Sequence, residues 1–88
     1  MSSIKELLAG GLVEPETIIV WNRKQIRINH EAIILSNGYI QTEDGKEHKS
    51  VSGAAKHLNG DKPVDGWNVW KIKSTGIRLN ELRTSLGN

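Results

Sequence analysis

The sequence predicts an α+β fold, a small curved antiparallel sheet accompanied by about three short helices. Three observations carry this. β-Branched and aromatic residues fill Thr17-Ile18-Ile19-Val20-Trp21, and Ile26, Ile28, Ala32 and Ile34 recur through Gln25 to Leu35, as strands require. Asn37-Gly38 and Asp44-Gly45 follow at a seven-residue interval, each supplying the positive φ of a tight hairpin turn. Val51, Ala54, Ala55 and Leu58 fall at helical spacing on one face. At 88 residues the chain makes one domain, 1–88, burying about 60–65% of its unfolded surface.

Taken in order, Ser3-Ile4-Lys5-Glu6 has the form of a capping box, and Ile4, Leu7 and Leu8 continue it as a helix that Gly10-Gly11 ends. Pro15 separates that helix from the first strand, and Asn22-Arg23-Lys24 reads as the turn into the second. Tyr39–Thr42 and Lys46–Lys49 are short strands around the two glycine turns. Ser50 caps the central helix, and Asn59-Gly60 closes it. A loop from Asp61 to Gly66 leads to a last strand, Trp67–Ile72, which would place Trp67 and Trp70 on opposite faces. Leu79, Leu82 and Leu86 give a C-terminal amphipathic helix.

Composition narrows the function classes. Twelve basic and ten acidic side chains leave a net charge of +2, compatible with nucleic acid without requiring it. The absence of Cys excludes disulfide scaffolds, thiolate zinc sites and thiol nucleophiles. No apolar run approaches the ~18 residues of a membrane span, so no membrane partner and a cytoplasmic location are expected. No Walker loop or nucleophile–base set is visible, and His30, His48 and His57 lack metal-ligand spacing. The expectation is a non-enzyme with no cofactor and no metal.

Two blocks stand out as candidates for binding. Gly66-Trp67-Asn68-Val69-Trp70-Lys71 concentrates two of the three Trp in a chain without Phe, and Trp67 offers a platform for stacking a base. Ser50-Val51-Ser52-Gly53 opens a helix, with Ser50 committed to the cap and Ser52 left to join the helix N-terminus in holding a phosphate. Gly53 in that first turn suits close approach of another backbone or a ligand. Arg23, Lys24 and Arg27 surround the first hairpin, Lys46, His48 and Lys49 precede the central helix, and Lys71 and Lys73 extend the Trp segment. The nucleic-acid-binding set read from the sequence is therefore Arg23, Lys24, Lys49, Ser52, Asp65, Trp67 and Lys71.

The ordered series Leu8…Gly11-Leu12-Val13…Pro15, Glu31-Ala32…Asn37-Gly38-Tyr39-Ile40, Asp44-Gly45, Ser50–Ala55, Gly66–Trp70 and Leu79-x-x-Leu82-Arg83 resembles the RAMA domain, the restriction-enzyme adenine-methylase-associated domain. The resemblance implies a small DNA-binding module of restriction-modification type, with a role in sensing modified DNA. Two positions depart from the family pattern: Asp65 stands where Asn is usual before Gly-Trp, and Val51 where Pro is usual between the serines. A carboxylate repels phosphate whereas an amide donates to it, so Asp65→Asn is expected to strengthen DNA binding. Under the opposing reading Asp65 only holds its own turn. Beside DNA binding stand two other classes: a protein-interaction module partnering a nuclease, a methyltransferase or itself, and a small-ligand fold. The mild charge and Asp65 support the protein partner.

Overall fold

In the computed structural model, which describes residues 3–86, five strands form one antiparallel sheet. They are Ile18–Arg23 (β1), Ile28–Ile34 (β2), Ile40–Thr42 (β3), Glu47–His48 (β4) and Lys71–Ile72 (β5), arranged in the order β4-β3-β2-β1-β5. Four helices accompany it rather than about three: Ile4–Ala9 (α1), Val51–Leu58 (α2), Gly66–Val69 (α3) and Leu79–Leu86 (α4).

Strand alternation sorts the sheet into two faces. Ile19, Ala32, Ile34, Ile40 and Ile72 point to one side, where they are buried with Ile4 and Leu7 of α1, Val51, Ala54 and Ala55 of α2, Trp70, and Leu79 of α4. The predicted face of α2 is thus the buried one, with Leu58 packed at its margin. The other sheet face leaves Ile18 exposed and Val20 and Ile33 half-exposed, beside a Lys73–Glu31 ion pair at 2.8 Å.

Both glycine turns form, each as a type I turn closed by a one-residue bulge. Gly38 N–H donates to Leu35 O (2.9 Å) and Gly45 N–H to Thr42 O (2.9 Å), both glycines having φ of 86°. Within these two turns only the glycines take positive φ. Asn37 and Asp44 brace the turns from their side chains, accepting from Tyr39 N–H and Lys46 N–H.

Three local expectations are corrected. The first hairpin turns at Lys24–Arg27 rather than at Asn22-Arg23-Lys24, because Asn22 pairs with Asn29 and Arg23 with Ile28 before the chain reverses. Arg27, with φ of 56°, supplies the left-handed residue there, and Ile26 is 49% exposed in the turn instead of facing the core. Trp67–Ile72 is not a strand: Gly66–Val69 is one helical turn, closed by Trp70 N–H on Gly66 O (3.0 Å), and only Lys71–Ile72 is extended. Ser3 flanks α1 with its carbonyl accepting from Glu6 and Leu7, but its side chain makes no cap bond, so the capping box does not form.

Candidate nucleic-acid interface

The two conspicuous sequence blocks turn out to be each other's partners. Ser50 Oγ caps α2 by accepting from Gly53 N–H at 2.9 Å, which fixes where the helix starts. A Cβ on Gly53 would lie 3.2 Å from that Ser50 Oγ, so it is the cap, rather than a ligand, that closes in on this glycine. Ser52 Oγ then accepts from Gly66 N–H at 3.0 Å. The expectation that Ser52 has no structural duty is corrected by this bond. Gly66 is pressed so closely onto α2 that a Cβ there would sit 2.3 Å from the Val51 carbonyl carbon and 2.5 Å from Ser52 N. One turn later the buried Trp70 Nε1–H donates to Val51 O at 3.0 Å. Two polar bonds and a backbone contact therefore clamp α3 onto the first turn of α2.

Asp65 and Trp67 belong to the same clamp. Asp65 caps α3, accepting from Trp67 N–H (3.1 Å) on one carboxylate oxygen and from Asn68 Nδ2 on the other. Both oxygens are thus occupied in the turn. Trp67 is half-buried, with the Arg83 guanidinium 4.6 Å from its ring centre, so a cation already covers part of the proposed stacking platform.

The basic candidates occupy three places. Lys49 is exposed between β4 and α2, and Lys71 lies on β5 opposite Val20, so the two flank opposite edges in the strand order. Arg23 and Lys24 lie at the far end of the β1–β2 hairpin. That hairpin outruns its neighbours: β5 pairs only with Ile19 and Val20, and β3 only with Ala32–Ile34. The pairs Trp21–His30, Asn22–Asn29 and Arg23–Ile28, and the turn beyond them, form a two-stranded arm without further strand partners.

The arm has a supported underside and an open upper side. Beneath it, Trp21 meets Trp70 edge-on at 6.0 Å, and Arg23 lies 4.7 Å over the Trp21 ring. The Arg23 fork reaches the end of α2, donating to Leu58 O (3.4 Å) and Asn59 Oδ1 (2.9 Å). Arg23 is therefore a strut that ties the last pair of the arm to the end of α2, its charge held on the underside. His30 Nε2 is buried there without a hydrogen-bond partner, and burial together with the Arg23 charge lowers its pKa, favouring the neutral ring. On the upper side Asn22 Nδ2 donates to Asn29 Oδ1 at 2.9 Å, fully in solvent. At the tip Lys24, Gln25, Ile26 and Arg27 are all exposed.

From Trp21 to His30 the chain carries Arg23, Lys24 and Arg27 and no acidic residue. Sequence reasoning placed these three cations around the first hairpin but missed that the interval, which ends at Glu31, holds no acid.

A polar cluster on the other flank is structural. Thr42 Oγ1 donates to Asp44 Oδ1, His57 Nε2 meets Asp44 Oδ2 at 2.6 Å, and His48 Nε2 meets Thr42 Oγ1 at 3.2 Å, joining the β3–β4 hairpin to α2. The Thr42 hydroxyl, then His57, then the Lys46 backbone N–H hold the Asp44 carboxyl far below its ordinary range. Among the described residues no set of His and carboxylate side chains is arranged to hold a metal ion, and no helix is long and apolar enough to cross a membrane.

A family model, Restriction Enzyme Adenine Methylase Associated, matches residues 2–88, essentially the whole chain. The chain belongs to the RAMA family. Among curated proteins no match is found. The family description ties this RAMA domain to restriction enzymes and adenine methylases, and its sheet with four helices is the α+β unit that the turn and helix patterns predict.

Proposed function

We propose that this RAMA domain is a non-enzymatic DNA-binding module of a restriction-modification system. One observation carries the reading: a two-stranded arm that projects past the sheet with three cations, no acid and its tip in solvent. Phosphate contacts supply sequence-independent affinity in proportion to the cations that reach them. With Lys24 and Arg27 free and Arg23 held on the underside, two or three phosphates are within the arm's capacity. Affinity for a duplex then falls about ten- to fortyfold between about 50 and 200 mM salt, from a logarithmic slope near 0.9 per phosphate. Titrating a fluorescent duplex at those two salt concentrations tests this. No binding at the lower concentration, or binding indifferent to salt, overturns it.

A second reading rests on the outer sheet face. Ile18 is 40% exposed there beside half-exposed Val20 and Ile33, an apolar strip that suits a protein partner. Such an interface would show little salt dependence, so the same titration separates the two.

A further inference from the structure

We infer that the β1–β2 arm enters the major groove of duplex DNA, with the Asn22–Asn29 pair reading base edges while Lys24 and Arg27 hold the flanking phosphates. This rests on the DNA-binding reading above and specifies the form of nucleic acid and the groove.

Dimensions support it first. Two strands about 4.8 Å apart, carrying side chains, fit a groove about 12 Å wide, which admits a two-stranded ribbon. Arg23 ties the underside of the last pair to the end of α2, so the arm presents to the groove its outward face, with Asn22 and Asn29, and the Lys24–Arg27 turn beyond it.

The side chains are suitably distributed. Asn22 and Asn29 face away from the core, and their mutual bond uses one Nδ2 hydrogen of Asn22 and one lone pair of Asn29. Asn29 keeps both Nδ2 hydrogens and a second lone pair on Oδ1, the donor–acceptor combination that matches N7 and N6 of adenine. Holding the two amides together fixes their orientation before binding. Ile26, half-exposed at the tip, offers an apolar contact of the kind made to a thymine methyl. Arg27 sits at the turn with φ of 56°, a position an L-residue occupies at a penalty, and its charge is thereby placed at the leading end.

Other nucleic acids fit less well. Single strands are held by exposed aromatic rings, but the arm's Trp21 lies beneath Arg23, and Trp67 is partly covered by Arg83. The major groove of A-form RNA is too narrow for side chains to read.

The experiment uses the full chain with four probes: an alternating dA-dT duplex, the same duplex carrying 7-deazaadenine, an alternating dG-dC duplex, and oligo(dT) as a single strand. The expected ranking places the dA-dT duplex first, with 7-deazaadenine lowering affinity about fivefold or more through loss of the N7 acceptor. Lys24→Gln with Arg27→Gln lowers the salt slope by about two. Asn22→Ala with Asn29→Ala leaves the slope unchanged and removes the preference for dA-dT over dG-dC. These four positions are exposed, and melting curves confirm that the variants fold. If no probe binds, the DNA-binding reading falls and this one with it. If duplexes bind but the arm variants match the parent, or 7-deazaadenine has no effect, the groove assignment is overturned while DNA binding stands. Tighter binding of the single strand also overturns it.

Discussion

The α2–α3 clamp and the β1–β2 arm use polar residues in opposite ways. In the clamp every distinctive polar group is turned inward: Ser50 on Gly53, Ser52 on Gly66, Asp65 on Trp67 and Asn68, and Trp70 on Val51. In the arm only the underside is committed, through Arg23, while Asn22, Asn29, Lys24 and Arg27 face solvent. Unusual residues in a short chain therefore have two sources. One is the difficulty of joining two helical turns at close range. The other is a surface that meets a ligand. Substitutions in the clamp should change stability and leave DNA affinity alone, and substitutions in the arm should do the reverse.

Gly66→Ala is expected to have the largest effect. The added methyl would meet the Val51–Ser52 peptide of α2, at 2.3 Å from the Val51 carbonyl and 2.5 Å from Ser52 N, where rigid backbone rather than a flexible side chain would have to yield. Moving α3 off α2 also loosens the buried Trp70–Val51 bond. The loss is about 3 kcal/mol or more, toward the upper end of overpacking effects, and in a domain of this size lowers the melting temperature by about 12 °C or more. Below its midpoint the variant should bind duplex DNA as the parent does. A variant melting normally would show that the clamp is not what holds these helices.

Acidification affects the fold through two histidines, His30 beneath the arm and His48 in the β3–β4 cluster. His48 is shifted below its ordinary value by burial and by His57 and Lys46, with Asp44 opposing; His30 is shifted down by burial and Arg23, with Glu43 opposing. The folded state thus favours both neutral rings, and between the folded and unfolded values the unfolded chain binds more protons. Stability is complete above about pH 6.5 and declines as pH falls through that value toward the folded ones. The Asp44 contribution has the same sign and is lost at much lower pH. Urea midpoints measured from pH 8 to pH 5 check this, and His48→Gln should remove part of the decline. A midpoint that rises on acidification overturns the assignment.

The elements whose signals are local were legible. The α2 face, the two glycine turns and the C-terminal helix at Leu79 emerge from spacing and turn chemistry alone. The Trp67–Ile72 segment misled because Trp and Val favour strands, yet Asp65-Gly66 starts a helical turn that the clamp then holds. An Asp immediately before Gly-Trp-Asn was the available hint of a cap. The first hairpin turn was misplaced because its left-handed residue is Arg27, where composition would put Gly or Asn. Contacts such as His57 with Asp44, thirteen positions apart on different elements, have no signature in spacing. Of the seven residues chosen for DNA, Ser52 and Asp65 are engaged within the clamp and Arg23 braces the arm, because rare residue types mark structural joints as readily as binding sites.

Arg27→Gly should separate the two regions with a smaller effect on stability. Glycine relieves about 1–2 kcal/mol of left-handed strain and restores about 0.4–1 kcal/mol of unfolded-chain freedom, so stability stays level or rises by up to about 1.6 kcal/mol. The same change removes one phosphate contact and lowers the salt slope by about 0.9. Melting temperature and salt-dependent titration on one sample measure both quantities. A reduced melting temperature with an unchanged slope would assign Arg27 to the fold and break the comparison at the arm.

The smallest effect is expected from Asp65→Asn, and it tests the other side. As a cap for α3, Asn serves about as well as Asp, so the bond from Trp67 N–H survives. The second carboxylate oxygen, which accepts from Asn68, becomes a donor, and exposed Asn68 can turn to water instead. Stability should change by only a few tenths of a kcal/mol. For DNA, the relevant quantity is distance from the arm. Ser52 contacts the Asp65 turn, and Asn59 contacts Arg23, so about 10 Å of helix separates the two ends. A unit charge at that range contributes about 0.4 kcal/mol in water, and about a third of that after screening at physiological salt. Removing it therefore raises affinity less than about twofold. The family-pattern argument, in which this position faces phosphate directly, requires a much larger gain. An increase of about tenfold, with melting unchanged, would return the DNA contact to α3 and leave the arm as a structural projection.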